Sequence, residues 1–115
     1  MFTLTSSHRY LLYSQPTDMR KSFDALCGII RNEMKRDPLN GEVFVFLNRR
    51  RTHLKLLHWE RGGLVLYFKR LEKGTFAPPP STGPAAAVTY AQLVLMAEGI
   101  TIQKSTQKPR WNVDK

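Results

Sequence analysis

Residues 40–76, NGEVFVFLNRRRTHLKLLHWERGGLVLYFKRLEKGTF, constrain the fold more than any other part of the chain. Three runs rich in Val, Phe, Leu, Tyr and Trp, Glu42–Leu47, His53–Glu60 and Leu64–Arg70, are separated by turn-forming residues, which predicts an antiparallel meander. In the first run apolar side chains fall on both parities, so that strand is expected to be central and covered on both faces. Arg61-Gly62-Gly63 supplies the positive φ of a tight hairpin. Either two-residue loop drawn from it puts Leu57, Trp59, Leu64, Leu66 and Phe68, with Lys55 at the end, on one face. That is the expected core face, under a helix. Leu54, Leu56, His58, Glu60, Val65, Tyr67 and Lys69 share the other, which is mixed enough for an interaction surface.

The helix is expected upstream. Pro16-Thr17-Asp18 offers a cap, and Met19, Phe23, Leu26, Cys27, Ile30 and Met34 recur at spacings of three and four, until Asp37-Pro38 stops the run. Gly28 inside it suggests a close approach to the sheet. Tyr10–Tyr13 reads as a strand joining the meander or covering its edge. Residues 77–84, with three consecutive prolines, form a stiff connector. Thr89 then caps a short helix over Tyr90–Glu98 that Gly99 closes. The expected fold class is therefore α+β: an antiparallel meander of three to four strands, one long N-terminal helix and a short C-terminal helix. Residues 1–103 form one domain, and 104–115 a basic, flexible tail.

Charge narrows the function. Eighteen Lys and Arg against nine Asp and Glu leave a formal charge of +9, which favours a polyanionic partner. Much of it lies on the meander: Arg49, Arg50 and Arg51 in the first turn, then Lys55, Arg61, Lys69, Arg70 and Lys73. Three arginines in one turn repel one another unless they share an anion, and the guanidinium fork suits phosphate. Arg20 and Lys21 sit where two cations oppose the helix dipole, so they are also nucleic-acid candidates, although Arg20 could simply pair with Asp24. Tyr67 is the candidate for stacking on a base. The single cysteine, Cys27, excludes an internal disulfide and belongs to the apolar helical stripe. His53 points away from His58 and Glu60, so no metal site is expected, and no cofactor. No apolar run reaches the ~18 residues a membrane span needs, which places the chain in the cytoplasm.

Two further segments join the meander in a recognisable pattern. Thr17-Asp18-Met19-Arg20-Lys21 with Phe23-Asp24 and Leu26, then FVFLNRRRTHLKLLHWERGGLVLYFKRLEKGTF over 44–76, and Ala91-Gln92-Leu93 with Glu98-Gly99-Ile100 resemble the TnpB accessory proteins. These are encoded by the second open reading frame of insertion-sequence-66 elements of bacteria. The resemblance covers about residues 9 to 102. It implies a small protein needed for efficient transposition beside a separate, larger transposase, and it implies no defined enzymatic activity. The expected partners are DNA at the element ends and that transposase. The alternative is a scaffold that docks on the transposase with little DNA contact. Nine scattered acids offer no convergent set for magnesium. Nothing in the sequence sets an oligomeric state.

Overall fold

The computed structural model describes residues 4–80 and 82–98. In chain order the elements are β1 (Tyr10–Leu12), α1 (Phe23–Asn32), β2 (Val43–Leu47), β3 (His53–Glu60), β4 (Gly63–Arg70), β5 (Ala86–Val88) and α2 (Tyr90–Ala97). The strands form one sheet in the order β4-β3-β2-β1-β5. The expected antiparallel meander is present as β2, β3 and β4. The expected fold class is nevertheless wrong in two respects. The sheet is mixed, because β1 lies parallel to β2 while β5 runs antiparallel to β1. Among the described residues there is no long N-terminal helix: α1 has ten residues and follows a strand. Parallel neighbours cannot be joined by a tight turn and need a crossover, which is the role α1 plays.

Local chemistry explains why α1 starts late. Asp18 Oδ1 accepts from the Arg20 amide at 2.9 Å, and the Lys21 amide donates to Asp18 O at 3.1 Å. The aspartate therefore organises a turn over 18–21 instead of capping a helix. The first helical bond is Leu26 N to Ser22 O. At the other end Lys35, at φ +59°, takes the left-handed region before Asp37-Pro38 is reached.

The core has two layers, one on each side of the sheet. Leu26, Cys27, Ile30 and Met34 pack on Leu11, Phe44, Phe46 and Leu57, so α1 covers the face assigned to it. Leu93 and Met96 of α2, with Phe76, pack on Tyr10, Leu12, Val43, Val45, Leu47, Leu54 and Leu56. The opposite face, expected to be an open interaction surface, is thus largely closed. Every residue of β2 is buried, as its double apolar parity requires. The hairpin register also holds, with Glu60 opposite Gly63 and Trp59 opposite Leu64. Arg61 at φ +51° and Gly62 at φ +83° form its two-residue loop.

Thr89 caps α2 as expected, and Gln92 completes a reciprocal capping box. Gly99 and the 104–115 tail lie outside the described residues. A Cβ on Gly28 would meet nothing within 4 Å; close approach to the sheet does not account for this glycine, and nothing else in the structure does. Among the described residues, no helix is long and apolar enough to cross a membrane.

Candidate nucleic-acid interface

The arginine turn is built on Asn48. Its Oδ1 accepts from the backbone amides of Thr52 (2.9 Å) and His53 (3.0 Å), while its Nδ2 reaches Thr52 Oγ1 at 3.0 Å. The Arg51 amide donates to Asn48 O, and Arg51 itself sits at φ +58°. A second tie comes from downstream, where Leu71 N bonds Thr52 O at 2.9 Å and Phe76 N bonds Arg51 O at 2.7 Å. The backbone carrying Arg49, Arg50 and Arg51 is therefore held at both flanks. All three side chains are exposed, and none forms an ion pair with a described residue.

Register brings other cations to this end of the sheet. Arg70 stands opposite His53, and the 71–76 loop that carries Lys73 is tied back to the arginine turn. Both are exposed. Arg70 lies 3.5 Å from Glu72, but with 67% and 85% of the two side chains exposed, water leaves that pair little strength. The 18–21 turn joins the same end, because Thr17 N bonds Leu47 O. Lys21 is exposed there. Arg20 is partly neutralised, not by Asp24 but by Asp18, which it grips through Nε and Nη2. Those hydrogen bonds hold the Asp18 carboxyl well below the usual carboxylate range.

Four expected contacts lie elsewhere or are already engaged. Lys55 is a correction: only 5% exposed, it donates from Nζ to Met19 O (2.7 Å) and Lys21 O (2.6 Å), with the Phe68 ring 4.8 Å away. Its ammonium pins the 18–21 turn to the sheet and has no reach to a phosphate. Lys69 Nζ donates to Ala97 O at the C-terminal end of α2, a favourable place for a cation. Arg61 is exposed but occupies the opposite end of the eight-residue β3, about 25 Å from the arginine turn at ~3.3 Å per residue. Tyr67 is half-buried against the core under α2. The exposed aromatic at the cationic end is instead Phe68, 52% accessible and flanked by His53. Its place on an edge strand, beyond the reach of a short helix, was the signal that could have found it.

Glu42, His53 and His58 have structural partners. Glu42 takes the Arg36 guanidinium in a two-pronged grip, a 2.6 Å bond from Asn40 Nδ2, and Arg9 at 3.5 Å. Burial works to raise its pKa, but the Arg36 and Asn40 hydrogen bonds and the two positive charges outweigh it, and the net direction is down. A depressed folded pKa stabilises the protein above the unfolded value near 4.5, and that contribution fades as pH falls through the folded value. Glu42→Gln should therefore cost about 2 kcal/mol at pH 7, and clearly less at pH 3, in urea titrations; an equal cost at both pH values would contradict this account. His58, 5% exposed, lies 3.4 Å from Glu42 O and 3.6 Å from Glu60. His53 is bound up with Thr52 and Asn48. Among the described residues no three His, Cys, Asp or Glu side chains gather as a metal site. Burial pushes the Cys27 thiol up, as befits a packing residue.

Next to the arginine turn is a cleft of about 580 Å³. Tyr13 and the Pro78–Pro80 run form apolar walls, and Arg49 and Arg51 line it on the side of the turn.

Comparison with known proteins gives a family and relatives. The family model described as IS66 Orf2 like protein matches residues 8–107. Uncharacterized protein y4jC of Sinorhizobium fredii is 29% identical over 101 residues, covering 88% of this chain and 86% of the relative. Uncharacterized protein y4hO of the same organism is 38% identical over 84 residues, 73% of each chain. No solved structure matches the chain.

Proposed function

The chain belongs to the IS66 Orf2-like family, whose members are associated with transposition, and from that premise we propose that it is a non-enzymatic accessory that binds DNA at element ends and assists a separate transposase in the cytoplasm. The observation that carries the DNA reading is the arginine turn. Three exposed guanidinium groups without a described acid partner stand on a backbone braced by Asn48, beside Arg70, Lys73 and Lys21. Such a loop meets phosphates with its geometry already set, so little ordering cost is left for binding. The competing scaffold reading loses its expected surface, because α2 lies on Leu54 and Leu56. The Arg36 grip on Glu42 likewise argues against that carboxylate as a catalytic base.

Fluorescence anisotropy with element-end and scrambled duplexes across a salt series tests this reading. Wild type should bind with a log-linear loss of affinity as salt rises. Replacing Arg49, Arg50 and Arg51 together by alanine should flatten that slope by about 2–3, one phosphate contact being worth ~0.9, and weaken binding at least tenfold at low salt. Absence of binding at low salt, or an unchanged slope in the triple variant, rejects it.

A further inference from the structure

We infer that the cleft beside the arginine turn receives an unpaired nucleotide of a DNA strand, its phosphate held by Arg49 and Arg51 and its base lodged between Tyr13 and the proline run. This rests on the DNA reading above and adds a strand state to it. The first support is size: about 580 Å³ falls within the ~300–1,000 Å³ of clefts that enclose small ligands. The second is charge. Two arginines and no carboxylate line it among the described residues, so the occupant is an anion. The third is the character of the walls. Tyr13 rests at 6.0 Å from Phe46, and Pro79 is buried, so the apolar sides are anchored in the fold. Phosphate alone would not use them, whereas a base has an apolar face to place there. Duplex DNA keeps its bases stacked inside the helix, so only an unpaired nucleotide can present both parts at once.

The fourth support is the position of the cleft. Phe76 N is bonded to Arg51 O, so the segment leading into the proline run starts at the arginine turn itself. A strand whose duplex portion lies along Arg50, Arg70 and Lys73 therefore reaches the cleft with its next nucleotides. The protein would bind most tightly where a duplex end is frayed or carries an overhang.

The test compares a blunt duplex, the same duplex with a 3′ single-stranded tail carrying 2-aminopurine, and a single-stranded 2-aminopurine oligonucleotide. Anisotropy gives affinity, and the 2-aminopurine emission reports whether the base is stacked. Wild type should bind the tailed duplex about tenfold more tightly than the blunt one and change the emission, since one stacked base is worth roughly 5- to 150-fold. Gln15→Glu sets a carboxylate at an exposed position on the wall of the cleft that Arg49 and Arg51 line; it should bring the tailed-to-blunt ratio to one. Equal wild-type affinity for blunt and tailed duplex, with unchanged emission, overturns the inference without touching duplex binding. Failure to bind any duplex, with a Gln15→Glu-sensitive emission change on the single strand, would leave the cleft assignment standing and reject the duplex reading. A peptide of alternating Glu and Phe that binds in a Gln15→Glu-sensitive way, while nucleotide emission stays flat, would overturn it and assign the cleft to a protein partner.

Discussion

Replacing Lys55 by methionine lowers the unfolding free energy by about 2 kcal/mol, and replacing it by alanine lowers it by about 3. Methionine keeps an apolar stem of similar reach but leaves Met19 O and Lys21 O without their ammonium donor and Phe68 without its cation. The cost of one such unmade bond is ~1–3 kcal/mol, and relief from holding a charge away from water offsets part of the pair. Lys73→Ala, at an exposed site, should change stability by no more than about 0.5 kcal/mol. Urea unfolding of the three variants decides the matter. A Lys55→Met protein as stable as wild type would mean that the 18–21 turn does not depend on this tether.

Asn48→Ala is expected to cost about 2 kcal/mol and to weaken DNA binding, although it removes no charge. Two backbone amides, those of Thr52 and His53, lose their acceptor, at ~1 kcal/mol each. The binding loss follows from geometry, because a slack loop must be ordered when phosphate arrives. The salt slope should stay at its wild-type value, since the same cations are present, while affinity falls about tenfold at every salt concentration. A slope that changes along with the affinity would show that Asn48 alters which cations make contact, not how firmly they are held.

What the sequence made legible was local. The faces of the hairpin followed from Arg61-Gly62-Gly63, the burial of β2 from its double apolar parity, and the α2 cap from Thr89. Long-range pairings were not legible. Tyr10–Tyr13 was legible as a strand, but not its parallel pairing with β2, and Ala86–Val88 is three residues long with alanine a poor signal of a strand. Asp18 looked like a helix cap because its side chain does accept a backbone amide, but in a turn that precedes the helix by one more step. In the candidate site the arginine turn was visible as composition, whereas its rigidity depends on Asn48, an ordinary turn residue in the bare sequence. Lys55 was read as a surface cation. Its place on the same face as Leu57 and Trp59 was the available hint that it would be covered.

The position of β1 bears on how the molecule is assembled. Tyr10 is paired with Val43 on one side and Val88 on the other, so the earliest strand to leave the ribosome is the one that waits longest for its neighbours. β2, β3 and β4 need only contacts between near segments, which form fastest because little chain must be closed into a loop. A chain whose residues up to about 80 have left the ribosome would therefore already display the arginine turn, before β5 closes the far edge and α2 arrives over Leu54 and Leu56. Pulse-labelled hydrogen exchange should find the β2–β4 amides protected before those of β5, and the reverse order would refute it. The arginine turn would then be the first part of the protein to take shape, and the strand order of the sheet would be the cause.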